Sequence, residues 1–450
     1  MYIKIKNLSL VLMLYLGFLS HAQSHLDHYI KIGLTKNEVI RQKSFDINKS
    51  LFALKEAQSL FYPNVALVGN YTIADGGRTI DIPIGDMLNP VYSTLNQITN
   101  SSTFPQLQNQ SVLINPNNFY DVKLHTTMPL LNYEIIYNKR IKTQQTNLQK
   151  IELEVYKREL VKDIKIAYYK YLQSVEGIRI YENALSIVKE NQRVNRSLFK
   201  NEKINRTAVL RSDNEVKRIE ANLELAKNTS KNARSYFNFL LNQKLDSEIE
   251  IDENIELPTE LIEENTSNRE ELKQLNQIKD INENVFEMTR SNWFPKLSGF
   301  ADLGFQDFDF KLDKSSRYYF AGLSLEWNIF SGNKNKYKLK QVDEDRKKIS
   351  SQVDNVKQQL LLQYEVSQNN LRSALEQYES DSKQKETAKK YNGDITKLYK
   401  EGLAIYIELL DAQNQVVNTQ LNANISLYNS WIAFAELERA NATFNLNQEN

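Results

Sequence analysis

Cysteine is absent from all 450 residues. That excludes disulfides, thiolate metal sites, cysteine nucleophiles and a lipid carried on an N-terminal cysteine. Glycine and proline are scarce, at 13 and 8 residues, so long uninterrupted elements are expected. An excess of one charge is also lacking: 57 basic against 56 acidic residues leave a net +1. Such a balance gives no electrostatic reason to expect nucleic acid or an acidic partner. His25 and His28 could pair on a helix, but no third ligand lies near them, so no metal is expected. The chain has no glycine-rich phosphate loop, no Gly-x-Ser-x-Gly elbow and no His-Glu-x-x-His pair. Asp75-Gly76-Gly77 reads as a turn rather than an anion cradle. No catalytic constellation or cofactor motif stands out, and an enzyme is not expected.

Long apolar runs are confined to the start of the chain. Lys4 and Lys6 precede an apolar Leu8 to Leu19, and Ser20-His21-Ala22 supplies small residues before Gln23. The run is shorter than the ~20 residues a spanning helix needs, so residues 1–22 are expected to be a signal peptide. The mature protein is then exported, either soluble or held in a membrane by strands.

What the chain does have is a repeated unit. From Arg317, Tyr319, Ala321, Leu323, Leu325, Trp327 and Ile329 alternate with Ser324, Glu326 and Asn328, and Ser331-Gly332-Asn333 makes a turn. A polar, proline-free run then reaches Gly402 and is followed by Glu408 and Asp411. The same order runs from Asp121 through Asn132 to Lys203 and Asp213. An ungapped alignment places Leu131 on Phe330, Glu202 on Glu401 and Leu210 on Leu409. Repeats of this kind set the fold.

The first repeat spans 23–245. A helix is expected over 37–61, and Tyr62-Pro63 ends it. Val65, Leu67, Gly69, Tyr71 and Ile73 then alternate with small or polar residues, as do Val122, Leu124 and Met128 with Lys123, His125 and Thr127. These strands bound a hairpin, 64–131, whose long polar loop to Asn118 is expected to be exposed. Apolar residues at steps of three and four (Ile164, Tyr168, Leu172, Val175) predict a helix over 133–200, and a shorter one follows over 207–241. An acidic linker, 246–267, leads to the second repeat, 268–450. Its elements are a helix to Asn292, a hairpin over 296–330, a long helix over 333–400 and a last helix over 405–441. In the hairpin, Leu297, Gly299, Ala301, Leu303 and Phe305 face away from Ser298, Asp302 and Gln306.

Each strand is about ten residues long, the length of a tilted membrane strand. Four per chain cannot close a barrel, and an open sheet in lipid leaves backbone groups unpaired at several kcal/mol each. Two chains would give eight strands with a filled interior, whereas three would give twelve and a channel.

The chain at this point resembles the TolC family of outer-membrane efflux proteins. The resemblance rests on the duplicated order, on Phe61-Tyr62-Pro63 and Trp293-Phe294-Pro295, and on the turns Leu130-Leu131-Asn132 and Ile329-Phe330-Ser331-Gly332. It rests above all on the run Gly402 to Gln413. It implies a mainly α fold with a homotrimeric 12-stranded β-barrel in outer-membrane lipid, continuous with a helical barrel in the periplasm. It also implies a passive duct that docks to a periplasmic adaptor and to an inner-membrane transporter of resistance-nodulation-division or ABC type. Efflux of small molecules and type I secretion of proteins both fit. The competing reading is a soluble exported coiled-coil spacer or adaptor, which has no use for alternating strands.

Particular residues follow from this reading. Glu408 and Asp411 share a helix face and would form an acidic ring in a trimer, because the alignment puts Val209 and Ser212 at the equivalent places. Gly402 and Leu403, with Lys203 and Ile204, are the expected adaptor-docking tips. Pro63, Asn132, Pro295 and Gly332 mark the strand–helix junctions. Trp293, Phe294, Tyr319 and Trp327 are expected at membrane interfaces, along with Tyr318.

Overall fold

The computed structural model describes residues 25–252, 255–258 and 264–446. The expected signal peptide, 1–22, and parts of the acidic linker lie outside the described residues. The chain forms two compact units. One takes the residues through Leu51 with Gln144–Asn282 and Glu344–Asn450, the other Phe52–Thr143 with Glu283–Asp343.

The helical unit draws on α1 (His25–Lys36), α2 (Glu38–Ser59), α4 (Tyr133–Lys200), α5 (Arg206–Leu240), α6 (Glu270–Arg290), α7 (Lys334–Lys400) and α8 (Tyr406–Asn441). Its main core joins Leu26, Tyr29 and Ile30 of α1 to Ile164, Tyr168 and Leu172 of α4 and to Phe237 of α5. Packing there is close enough that a Cβ on Gly33 would meet Ile164 Cδ1 at 2.3 Å. The chain breaks between α1 and α2 because Asn37 supplies a cap. Its Oδ1 accepts from Val39 N at 2.9 Å, while its Nδ2 donates to Leu240 O at 3.0 Å. A buried ionic cluster ties the start of the second repeat to α4 and α8. Arg158 Nε lies 2.6 Å from Glu270, and Arg439 reaches Glu159 at 3.1 Å and Glu271 at 2.6 Å.

The other unit holds a four-stranded antiparallel sheet in the order β1 (Asn64–Thr72), β4 (Phe119–Leu131), β5 (Lys296–Phe308) and β6 (Arg317–Glu326). The two repeats meet at its centre, where His125 of β4 lies opposite Asp302 of β5. Pro129 lies beyond the end of the β1 pairing, which stops at Thr127, and at the point where the register with β5 shifts between Pro129 and Leu131. β6 ends at Glu326, short of the alternation through Ile329 expected from sequence, because its partner β5 begins at Lys296.

The polar segment between β1 and β4 is not the plain loop that its composition suggests. It folds as a ribbon of β2 (Thr79–Ile82) and β3 (Gln110–Leu113) around helix α3 (Ile84–Thr99). Its asparagines make that possible by bonding backbone. Asn89 exchanges two bonds with Leu107 at 2.9 and 2.7 Å, and Asn96 two with Phe104 at 2.7 and 3.1 Å.

Candidate channel wall and helix tips

The register sorts the sheet into two faces. Val65, Leu67, Val122, Leu124, Leu303 and Leu323 share one face, and all stand open to solvent, Leu67 at 74% exposure. From Leu297 to Phe305 this apolar band is roughly 26 Å long at ~3.3 Å per residue. A soluble monomer does not leave such a face bare. The opposite face carries charge. Lys123 Nζ lies 3.1 Å from Asp302 Oδ2, His125 Nδ1 is 2.5 Å from Asp302 Oδ1, and the Tyr318 hydroxyl donates to Asp121 Oδ1 at 2.6 Å. Gly304 makes room for this cluster, since a Cβ there would meet Lys123 Cβ at 2.7 Å. Sequence reasoning placed Lys123, His125 and Asp302 on the polar side but not together. The signal would have been the β4–β5 register, which only the fold supplies.

Both outer edges of the sheet are open: among the described residues nothing pairs with the free side of β1 or of β6. β1 alone then offers roughly nine unpaired backbone groups, which in lipid would cost tens of kcal/mol.

The aromatic residues separate into two sets. Trp293, Phe294 and Trp327 cluster at the helix end of the strands, where Trp327 Nε1 donates to Trp293 O at 3.1 Å and Phe294 packs on Tyr133 at 5.4 Å. Tyr319 lies at the opposite end with Tyr71 and Phe310, whose rings stack at 5.0 Å, and with the Tyr318–Asp121 bond. Pro63, Asn132, Pro295 and Gly332 each fall between a strand and a helix. Asn132 Oδ1 accepts from Glu134 N at 3.1 Å and starts α4, and Gly332 takes the left-handed φ of 61° that its turn requires.

The helix tips correct the sequence alignment by one residue. Lys203 N bonds Leu198 O at 2.9 Å just as Leu403 N bonds Leu398 O at 2.9 Å, and the left-handed residues are Glu202 and Gly402. Gly402 therefore corresponds to Glu202, not Lys203, and Leu403 to Lys203. Leu403 is 73% exposed and Ile204 half-buried. By this register the counterparts of Glu408 and Asp411 are Ala208 and Arg211, not Val209 and Ser212.

The two acidic residues also differ from each other. Glu408 Oε2 accepts from Ile405 N at 3.0 Å, so it completes the cap that the apolar Ile405 cannot make alone. In the first repeat Asn205 caps from its own position, accepting from Ala208 N at 3.2 Å. That accounts for Glu408 appearing in one repeat only. Asp411 is exposed and lines a groove between α7 and α8 with Lys383, Thr387 and Tyr391. The two hairpins are stitched together nearby. The Tyr399 hydroxyl donates to Asn195 at 2.8 Å and Asn191 donates to Gln413 at 2.6 Å. Tyr406, on the first turn of α8, is pushed up to about 12 by burial, with Glu215 adding to the effect.

Among the described residues no group of three or more His, Asp or Glu side chains could hold a metal, and no helix is long and apolar enough to cross a membrane.

Residues 261–443 match the family described as Outer membrane efflux protein. No curated protein matches the chain. The fold is that of solved outer-membrane channels. VceC, an outer membrane protein of Vibrio cholerae, superposes with a TM-score of 0.72 at 13% identity, covering 92% of this chain and 95% of that one. The CmeC outer membrane channel of Campylobacter jejuni gives 0.73 at 13% identity over 92% and 85%. The open state of the Neisseria gonorrhoeae MtrE outer membrane channel gives 0.71 at 14% over 92% and 88%.

Proposed function

We propose that this chain, which matches the outer membrane efflux protein family over residues 261–443 and has the fold of solved outer-membrane channels, is one third of a passive duct through the outer membrane. The observation that carries the reading is the four-stranded sheet with an exposed apolar face, a charged opposite face and two open edges. Pairing β6 of one copy with β1 of the next satisfies both edges and keeps the antiparallel order. With strands ~4.8 Å apart and tilted by about 40°, twelve strands close at about 24 Å backbone diameter and eight at about 16 Å. The narrower ring fills with side chains, whereas the Lys123–His125–Asp302 cluster calls for a wet interior, so three copies fit and two do not.

The tips at Gly402 and Leu403, with Lys203 and Ile204, are the proposed adaptor contacts, and an inner-membrane transporter supplies cargo and energy. A duct needs no catalytic group. Asp411, with Arg211 as its counterpart, is the better candidate for setting charge at the entrance, while Glu408 serves first as a cap.

The test is fractionation followed by reconstitution. The protein should sediment with outer membranes, run as a heat-sensitive trimer and give single-channel conductance in planar bilayers. A water-soluble protein without conductance would instead support the coiled-coil spacer.

A further inference from the structure

The insert between β1 and β4 turns its polar side inward and its apolar side outward. Asp86, Asn89, Ser93 and Asn96 lie on one face of α3 and are bonded by the returning chain 104–109. The other face carries Met87, Val91 and Ile98, exposed at 68%, 52% and 74%. The adjoining ribbon leaves Ile80 and Val112, directly opposite each other, exposed at 57% and 49%. A folded insert whose polar groups are internally satisfied and whose apolar stripe faces water is built to be covered.

Charge narrows what covers it. The insert's charges are Asp75, Arg78, Asp81 and Asp86, and no Lys or Arg occurs from Thr79 through Val122, which includes all of α3. A helix that rests on an anionic lipid surface carries basic residues on its polar face, and this one has none. Position points to another copy. The insert leaves the chain at the end of β1, the edge strand that a neighbouring copy's β6 must meet in a closed barrel. Each insert is thereby set at a subunit seam, and a ring of copies repeats one head-to-tail contact until it closes.

We propose that the Met87–Val91–Ile98 stripe of α3 is a subunit contact, packed against the insert of the neighbouring copy at the end of the barrel remote from the helices. The three inserts form a collar around the mouth and tie the seams together beyond the last strand pair. This rests on the trimeric barrel proposed above.

The absence of native cysteine makes the test direct. Ile98→Cys and Val91→Cys proteins in outer-membrane preparations are treated with a short bismaleimide. Ser93→Cys, on the opposite face where Gln106 bonds it, is the control. Neighbouring inserts hold their thiols at millimolar effective concentration, so cross-linking at 98 or 91 should exceed that at 93 by roughly tenfold or more. The unheated trimer band is read from the same samples. If it is missing, the barrel itself is refuted. If it is present and positions 91 and 98 stay uncross-linked, or match 93, only the collar is refuted. Quenching of a fluorophore on Ile98→Cys by brominated lipid would also overturn it, because lipid would then be the covering surface.

Discussion

Glu271 offers the sharpest energetic test of the helical unit. Its carboxylate accepts from Arg269 Nε and Nη2, both at 2.9 Å, and from Arg439 Nη2 at 2.6 Å. Arg269 is only 2% exposed. Burial pushes the carboxyl up, but the two guanidiniums outweigh it and hold Glu271 at about 2 against an ordinary 4.5. A depressed carboxylate stabilises the fold above its unfolded pKa and loses that contribution as pH falls from about 4.5 to about 2. At 1.36 kcal/mol per unit, the contribution at neutral pH is about 3 kcal/mol. Glu271→Gln should remove it at pH 7 and leave two arginines partly uncompensated, lowering the thermal midpoint by about 3 to 5 °C in a chain of this length. Circular dichroism at 222 nm on detergent-purified protein reads this. Wild type and variant should converge below pH 3, because the wild-type carboxylate is being protonated there. A variant within 1 °C of wild type at pH 7, or a gap that persists undiminished at low pH, would refute the reasoning.

Three further changes test other parts of the account. Glu408→Ala should loosen the first turn of α8 by about 1 kcal/mol, and Ile405→Asn in the same chain should restore it as Asn205 does in the first repeat; hydrogen exchange at residues 405–409 is the readout, and no rescue would count against the cap. Glu202→Gly should stabilise the first tip by up to about 1 kcal/mol, since Glu202 holds a φ of 59° that glycine adopts freely, and slower exchange in residues 198–204 would register it. Leu67→Lys or Leu323→Lys should cost about 2–4 kcal/mol if the apolar face meets lipid near the bilayer midplane, seen as a lower temperature of trimer dissociation; variants as stable as wild type would place that face outside lipid.

Most of the sheet could be read from alternation alone. Val65-Leu67 and Leu297-Leu303 separate cleanly from His125 and Asp302 because side chains in a strand point to alternate faces. The long helix over 133–200 was equally legible, because its apolar steps persist without proline. The helix α3 was not, because asparagine and serine in a segment read as loop, and here they serve as backbone surrogates for the return strand. The tip alignment erred by one residue because an ungapped comparison cannot follow a spacing that changes along the chain: the long helices start 201 positions apart, at Tyr133 and Lys334, and the tips turn 200 apart, at Glu202 and Gly402. That slip turned Ala208 and Arg211 into Val209 and Ser212 as the partners of the acidic pair. The part played by Glu408 was hidden for a different reason. A cap is a backbone bond, and nothing in the residue's charge distinguishes capping from lining a pore.

Native mass spectrometry of the protein extracted from outer membranes tests the central claim most directly. The account predicts particles of three chains that dissociate on heating without any reductant. Particles of one chain, or of two, would contradict it, since neither closes the open edges of β1 and β6 around a charged interior.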